Sequence, residues 1–197
     1  MLLAVVTAPS SPEYAAIDMT SPSNAAAPAP APAVSPIARA TPPAPTGQPG
    51  DFDFLTGAWK IRNRRRKDAG TTEEWEQFEG EATVTRILAG AGSVEDLRIP
   101  SRGFAGMGLR LLDMSTRLWA DHWVNAKSGV LAPPPIWGSF VAGVGTWDSD
   151  EEAGDAPVIV RGVWDRITPR SCRWFQAISR DGGARWQENW VMEWTRA

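Results

Sequence analysis

Between Arg185 and Trp194 the chain alternates with period two, and its largest rings keep to one parity. Trp186, Glu188, Trp190, Met192 and Trp194 fall on one face; Gln187, Asn189, Val191 and Glu193 fall on the other. Residues two apart share a side only in an extended strand, so this segment is read as β rather than helix. Cys172–Ser179 precedes it as a second strand. Asp181-Gly182-Gly183-Ala184 joins the two with residues that tolerate positive φ, a strong hairpin signal.

The same reading runs back along the chain. Candidate strands are Trp59–Arg66, Glu74–Leu88, Ser93–Ile99, Phe104–Leu112, Arg117–Asn125, Trp137–Trp147 and Pro157–Arg166. Turn residues separate them at Asp68-Ala69-Gly70, Gly90-Ala91-Gly92, Asp113–Thr116 and Thr168-Pro169-Arg170. Helical periodicity shows only briefly, over Asp51–Leu55, as a short turn before the first strand. About nine or ten consecutive strands without helical crossovers make an antiparallel meander. An open sheet of that size leaves edges exposed, so closure into one up-and-down barrel is expected, with a two-sheet sandwich as the alternative.

Composition sets where this domain begins. Residues 1–50 hold 11 of the 17 prolines, one Lys/Arg (Arg39) and one aromatic (Tyr14), while residues 51–197 hold all 11 tryptophans. The Ala/Pro-rich leader, 1–50, carries too little large apolar surface to offset chain entropy and is expected to be disordered. Residues 51–197 form the barrel domain. Met1–Ala8 looks like a clipped secretory hydrophobic region without its basic flank. A cytoplasmic location is expected, with export if the true start lies upstream. No run approaches a membrane-spanning helix.

Charge and reactive residues narrow the function. The net charge of −3 implies no polyanion-binding surface. The basic run Arg62–Lys67 faces an acidic strand, and a hairpin would set Arg64 and Arg66 opposite Glu76 and Glu74, so neutralisation rather than nucleic-acid binding is expected. One histidine and one cysteine leave no metal set, and Asp121 and His122 point to opposite faces of a strand and form no dyad. Asp148–Asp155 fails the calcium-loop pattern, with Ala153 at its sixth position and Ile159 at its twelfth, and reads as a solvated hairpin loop. No cofactor is expected.

The opening Phe52-Asp53-Phe54-Leu55-Thr56-Gly57-Ala58-Trp59 resembles the entrance of a lipocalin-type, or calycin, barrel. It is similar, more closely, to an uncharacterised family of bacterial lipocalin-like domains, together with Thr116–Trp119, Ile167-Thr168-Pro169, Asp181-Gly182-Gly183 and Trp186–Glu193. The resemblance spans essentially all of 51–197. It implies a barrel closed by Gly57, Trp59 and a basic residue of the last strand, here Arg196. Haem-binding relatives use a late histidine, and residues 172–196 contain none, so haem is not carried over.

Tryptophans interspersed with Gln, Glu and Arg suit a pocket with aromatic walls and a few polar anchors. The candidate lining is Trp75, Trp119, Arg161, Trp174, Gln176, Trp186, Glu188 and Trp190. The leading expectation is non-catalytic binding of a small apolar or aromatic molecule. Two alternatives stay open: an enzyme using Glu188 as acid or base on an apolar substrate, and a plugged barrel acting as a protein-interaction scaffold.

Overall fold

A computed structural model describes residues 42–67, 73–131, 134–153 and 156–197. The expectations for residues 1–41 and for the turn at 68–70 lie outside the described residues. Ten strands close into one antiparallel barrel in chain order, β10 returning to pair with β1. They are β1 Gly57–Arg66, β2 Trp75–Ile87, β3 Gly92–Ile99, β4 Phe104–Asp113, β5 Leu118–Asn125, β6 Ile136–Val141, β7 Val144–Ala153, β8 Ala156–Asp165, β9 Ser171–Ser179 and β10 Gln187–Arg196. Closure removes the exposed edges that a ten-stranded open sheet would carry. Among the described residues, no helix is long and apolar enough to cross a membrane.

Three local expectations are corrected. Trp137–Trp147 is two strands, because Ala142 and Gly143 both take positive φ (50° and 80°) and form a two-residue hairpin turn with Val141 opposite Val144. Asp148–Ala153 of the acidic segment is strand, paired with β8, rather than loop. The β1–β2 hairpin sits one residue away from the expected register: Arg65 faces Glu76, Arg64 faces Gln77 and Arg66 faces Trp75. In that register Lys60 lies opposite Glu81 and Arg62 opposite Glu79, while the basic run makes ion pairs near its end, Lys67 with Glu74 at 2.8 Å and Arg66 with Glu73 at 3.4 Å.

One end of the barrel is sealed by the 3-10 turn Asp53–Leu55, which precedes β1. Phe52 drives its ring among Trp119, Phe140 and Trp147, with centroids 4.9, 5.0 and 5.6 Å away. Trp59 is 1 % exposed, and its Nε1 donates to the Leu55 carbonyl at 2.6 Å. Arg196 lies opposite Trp59 in the β1–β10 ladder and holds its guanidinium 4.0 Å from that ring, while donating to the carbonyls of Phe54 (2.7 Å) and Thr56. Gly57 has φ +119°, and a Cβ there would sit 2.7 Å from an Arg196 nitrogen, so both backbone and space call for glycine.

The chain just before the turn is part of this seal. Gly47 donates to the Arg117 carbonyl (2.8 Å) and accepts from the Arg117 guanidinium (3.1 Å), and Gly50 donates to Gly90 at 2.9 Å. Ser139 Oγ donates to the Ala44 carbonyl at 2.6 Å. Composition places these residues in the leader; their hydrogen bonds place them against the barrel.

Candidate functional site

Strand alternation decides which side chains enter the barrel, and the ladder pairs carry that choice from strand to strand. Trp59 sets the inward parity of β1. Its neighbours propagate it to Ala82 on β2 and Leu97 on β3, then to Gly106 on β4. Continuing round, Glu95, Arg110 and Asp121 all point inward, as do Trp164, Trp174, Trp190 and Trp194. Gly106 makes room for this packing: a Cβ there would collide with the Trp123 ring.

Beyond the sealed end the interior holds a cavity of ≈ 50 Å³. Its walls are mainly indoles (Trp123, Trp164, Trp174, Trp190 and Trp194), completed by Leu97, Ile136 and Met192. The rings brace one another edge to face: Trp164 against Trp194 at 5.3 Å, and Trp174 against Trp190 at 5.9 Å. Farther along, Asn63 accepts from Trp190 Nε1 at 3.0 Å, and Gln176 donates to Asn189 at 3.2 Å.

Three charged side chains meet on the cavity wall. Arg110 donates from Nη2 to Glu95 Oε2 at 2.7 Å, with both side chains at most 6 % exposed. Asp121 stands 3.7 Å from Arg110 Nε, an ion pair too long to be a hydrogen bond. Arg110 Nε and Nη1 have no hydrogen-bond partner and are closed off from solvent; the guanidinium lies 5.0 Å from the Phe52 ring and 5.4 Å from the Trp164 ring. Asp121 keeps 20 % of its side-chain surface open. Burial pushes its carboxyl up to about 6, Glu95 adding to the rise while Arg110 opposes it. Burial works against the Arg110 charge, but Glu95 and Asp121 more than offset this, and its pKa is raised.

The expected pocket residues divide. Trp119, Trp174, Gln176 and Trp190 are inside, Trp119 beside the Phe52 seal. Trp75, Arg161, Trp186 and Glu188 are corrected to the outer surface. A β-bulge at Asn189 is the reason for two of them. Glu188 pairs with Ala177 and Trp190 with Gln176, so the extra residue reverses parity and Glu188 no longer shares a face with Trp190. Glu188 is 39 % exposed and sits 3.5 Å from Arg173. Trp186 is covered by Arg161 at 3.9 Å, and Arg161 makes a two-point ion pair with Asp148 at 2.8 Å. Trp75 lies between Arg64 and Arg66, at 4.8 and 5.1 Å.

Sequence reasoning missed Glu95, Arg110 and Asp121. Their signal is parity: each alternates with apolar inward residues, Leu97 and Ile99, Leu112, and Trp119 and Trp123 respectively. His122 pairs with Leu109 and alternates with Asp121 along β5, yet it too borders the cavity, with its Nδ1 buried and without a hydrogen-bond partner among the described residues. Cys172 is buried and its thiol is pushed up to about 12 by burial, so it stays protonated and unreactive.

Fold and site together define a closed antiparallel barrel, consistent with a lipocalin-like barrel, with a tryptophan-walled cavity and a buried charge cluster. No family model matches the chain, and no curated protein matches it.

Proposed function

We propose that this protein binds a small molecule non-catalytically inside the barrel, holding an apolar or aromatic body against the indole walls. The observation that carries this reading is the cavity of ≈ 50 Å³ walled by five tryptophans beyond a sealed end. That volume is about a third of the ~150 Å³ that holds benzene in an apolar protein cavity, so a compact group of a few heavy atoms fits as it stands. A full ring requires the indoles to move. Glu188 has no part in this function, since it lies on the outer face against Arg173.

The test is a screen of compact apolar and aromatic compounds against the full chain, followed by tryptophan fluorescence and thermal stability. A ligand at ~100 times its dissociation constant adds about 2.7 kcal/mol to the folded state. Native mass spectrometry of protein from its own host would show a retained molecule. A screen without a stabilising compound, together with protein that carries nothing, refutes the pocket.

A further inference from the structure

The cavity wall carries more negative than positive charge. Glu95 and Asp121 bring two carboxylates to one guanidinium, that of Arg110. Arg110 spends its one hydrogen bond on Glu95, and its two unbonded nitrogens are closed off, close to the Phe52 and Trp164 rings. They offer an incoming anion little.

Asp121 is in the opposite position. Among the described residues its carboxylate makes no hydrogen bond and the cation that faces it is Arg110 at 3.7 Å; it borders the cavity and keeps a fifth of its side-chain surface open. The cavity it borders is lined by five tryptophans, and indole faces attract cations electrostatically. A carboxylate held off hydrogen-bonding distance beside a tryptophan-lined cavity is a poor structural choice, because burying an unsatisfied charge is destabilising. It is a good receptor for an ammonium group, which supplies the missing donors and the missing positive charge together.

We propose, resting on the binding function above, that the ligand is a small organic cation: an amine whose ammonium sits on Asp121 and whose carbon body lies against Trp164, Trp174 and Trp190. With Asp121 ionised, the wall's formal charge is −1; the ligand brings it to zero. A carboxylate ligand would raise it to −2 in a site of low polarity.

Three probes of four heavy atoms and similar branched shape separate the cases: isopropylammonium, isopropanol and acetate, at constant ionic strength and pH 7.5. Tryptophan fluorescence and thermal stability of the full chain report binding. The expected result is a saturable response to isopropylammonium, with affinity at least tenfold above that for isopropanol or acetate. In Asp121→Asn the preference for the cation over isopropanol should fall at least tenfold. The order of the three probes on the wild-type protein decides the matter even if the variant folds poorly. Equal binding of isopropanol and isopropylammonium would leave the cavity function standing and overturn the cation assignment. Tighter binding of acetate would overturn it in favour of Arg110 as anchor. No response to any probe would overturn the assignment, and the cavity function falls with it if the wider screen is also silent.

Discussion

Asp121→Asn should make the protein more stable at neutral pH, and the gain should vanish in acid. Burial lifts the Asp121 carboxyl from its ordinary 3.8 to about 6, so between these values the folded state binds a proton that the unfolded chain has released. Stability from this group is therefore intact below pH 3.8 and is lost as pH rises through about 6. A shift of roughly two units corresponds to roughly 3 kcal/mol, and the open part of the side chain reduces this to about 2 kcal/mol. Asparagine has nearly the same shape and no charge at any pH, so it mimics the protonated form throughout. Urea unfolding followed by tryptophan fluorescence at pH 4, 5, 6, 7 and 8 gives both stabilities. The variant-minus-wild-type difference should be near zero at pH 4 and reach about 2 kcal/mol by pH 8. Taking the difference removes the opposite slope from His122, whose pKa burial lowers, and the parallel slope from Glu151, whose pKa burial raises. A difference that stays flat, or grows as pH falls, would show that Asp121 is not a desolvated carboxylate.

Further outcomes follow from the same contacts. Trp59→Ala should destabilise by roughly 3–5 kcal/mol in denaturant unfolding, the range for truncating a buried aromatic; a loss under ~1 kcal/mol would mean the ring does not seal the barrel. Gly57→Ala should cost at least about 1 kcal/mol, since alanine disfavours positive φ and its Cβ meets Arg196; an unchanged midpoint would refute the strain. Deleting residues 1–41 and deleting residues 1–50 should differ: the longer deletion removes the Gly47–Arg117 and Gly50–Gly90 bonds and should lower the melting temperature by several degrees relative to the shorter one. Equal midpoints would mean that segment contributes nothing. Glu188→Gln should leave ligand affinity within twofold of wild type by fluorescence titration, and a larger drop would put Glu188 back at the site.

The sequence by itself determined the all-β meander, most of its strands and the turn before β1, but it merged β6 with β7 and placed only half of the expected pocket residues on the inner face. Period-two alternation is a local property, and Gly57 and Trp59 stand on the first strand and Arg196 on the last, the two strands that closure of the meander brings together. The same alternation breaks wherever one residue is inserted, and that is where the tertiary structure decided. Nothing local marks Asn189 as a bulge; the mismatch exists only against β9, where Glu188 meets Ala177 and Trp190 meets Gln176. That single insertion moves Glu188 and Trp186 from the expected pocket to the outer surface. The β1–β2 register likewise depends on a whole ladder of pairs rather than on the charges near its turn. Glu95, Arg110 and Asp121 are 11 to 26 positions apart in sequence and each reads as an ordinary strand residue. They become one site because β3, β4 and β5 are neighbours in the barrel and all three side chains turn toward its axis, where water no longer screens them.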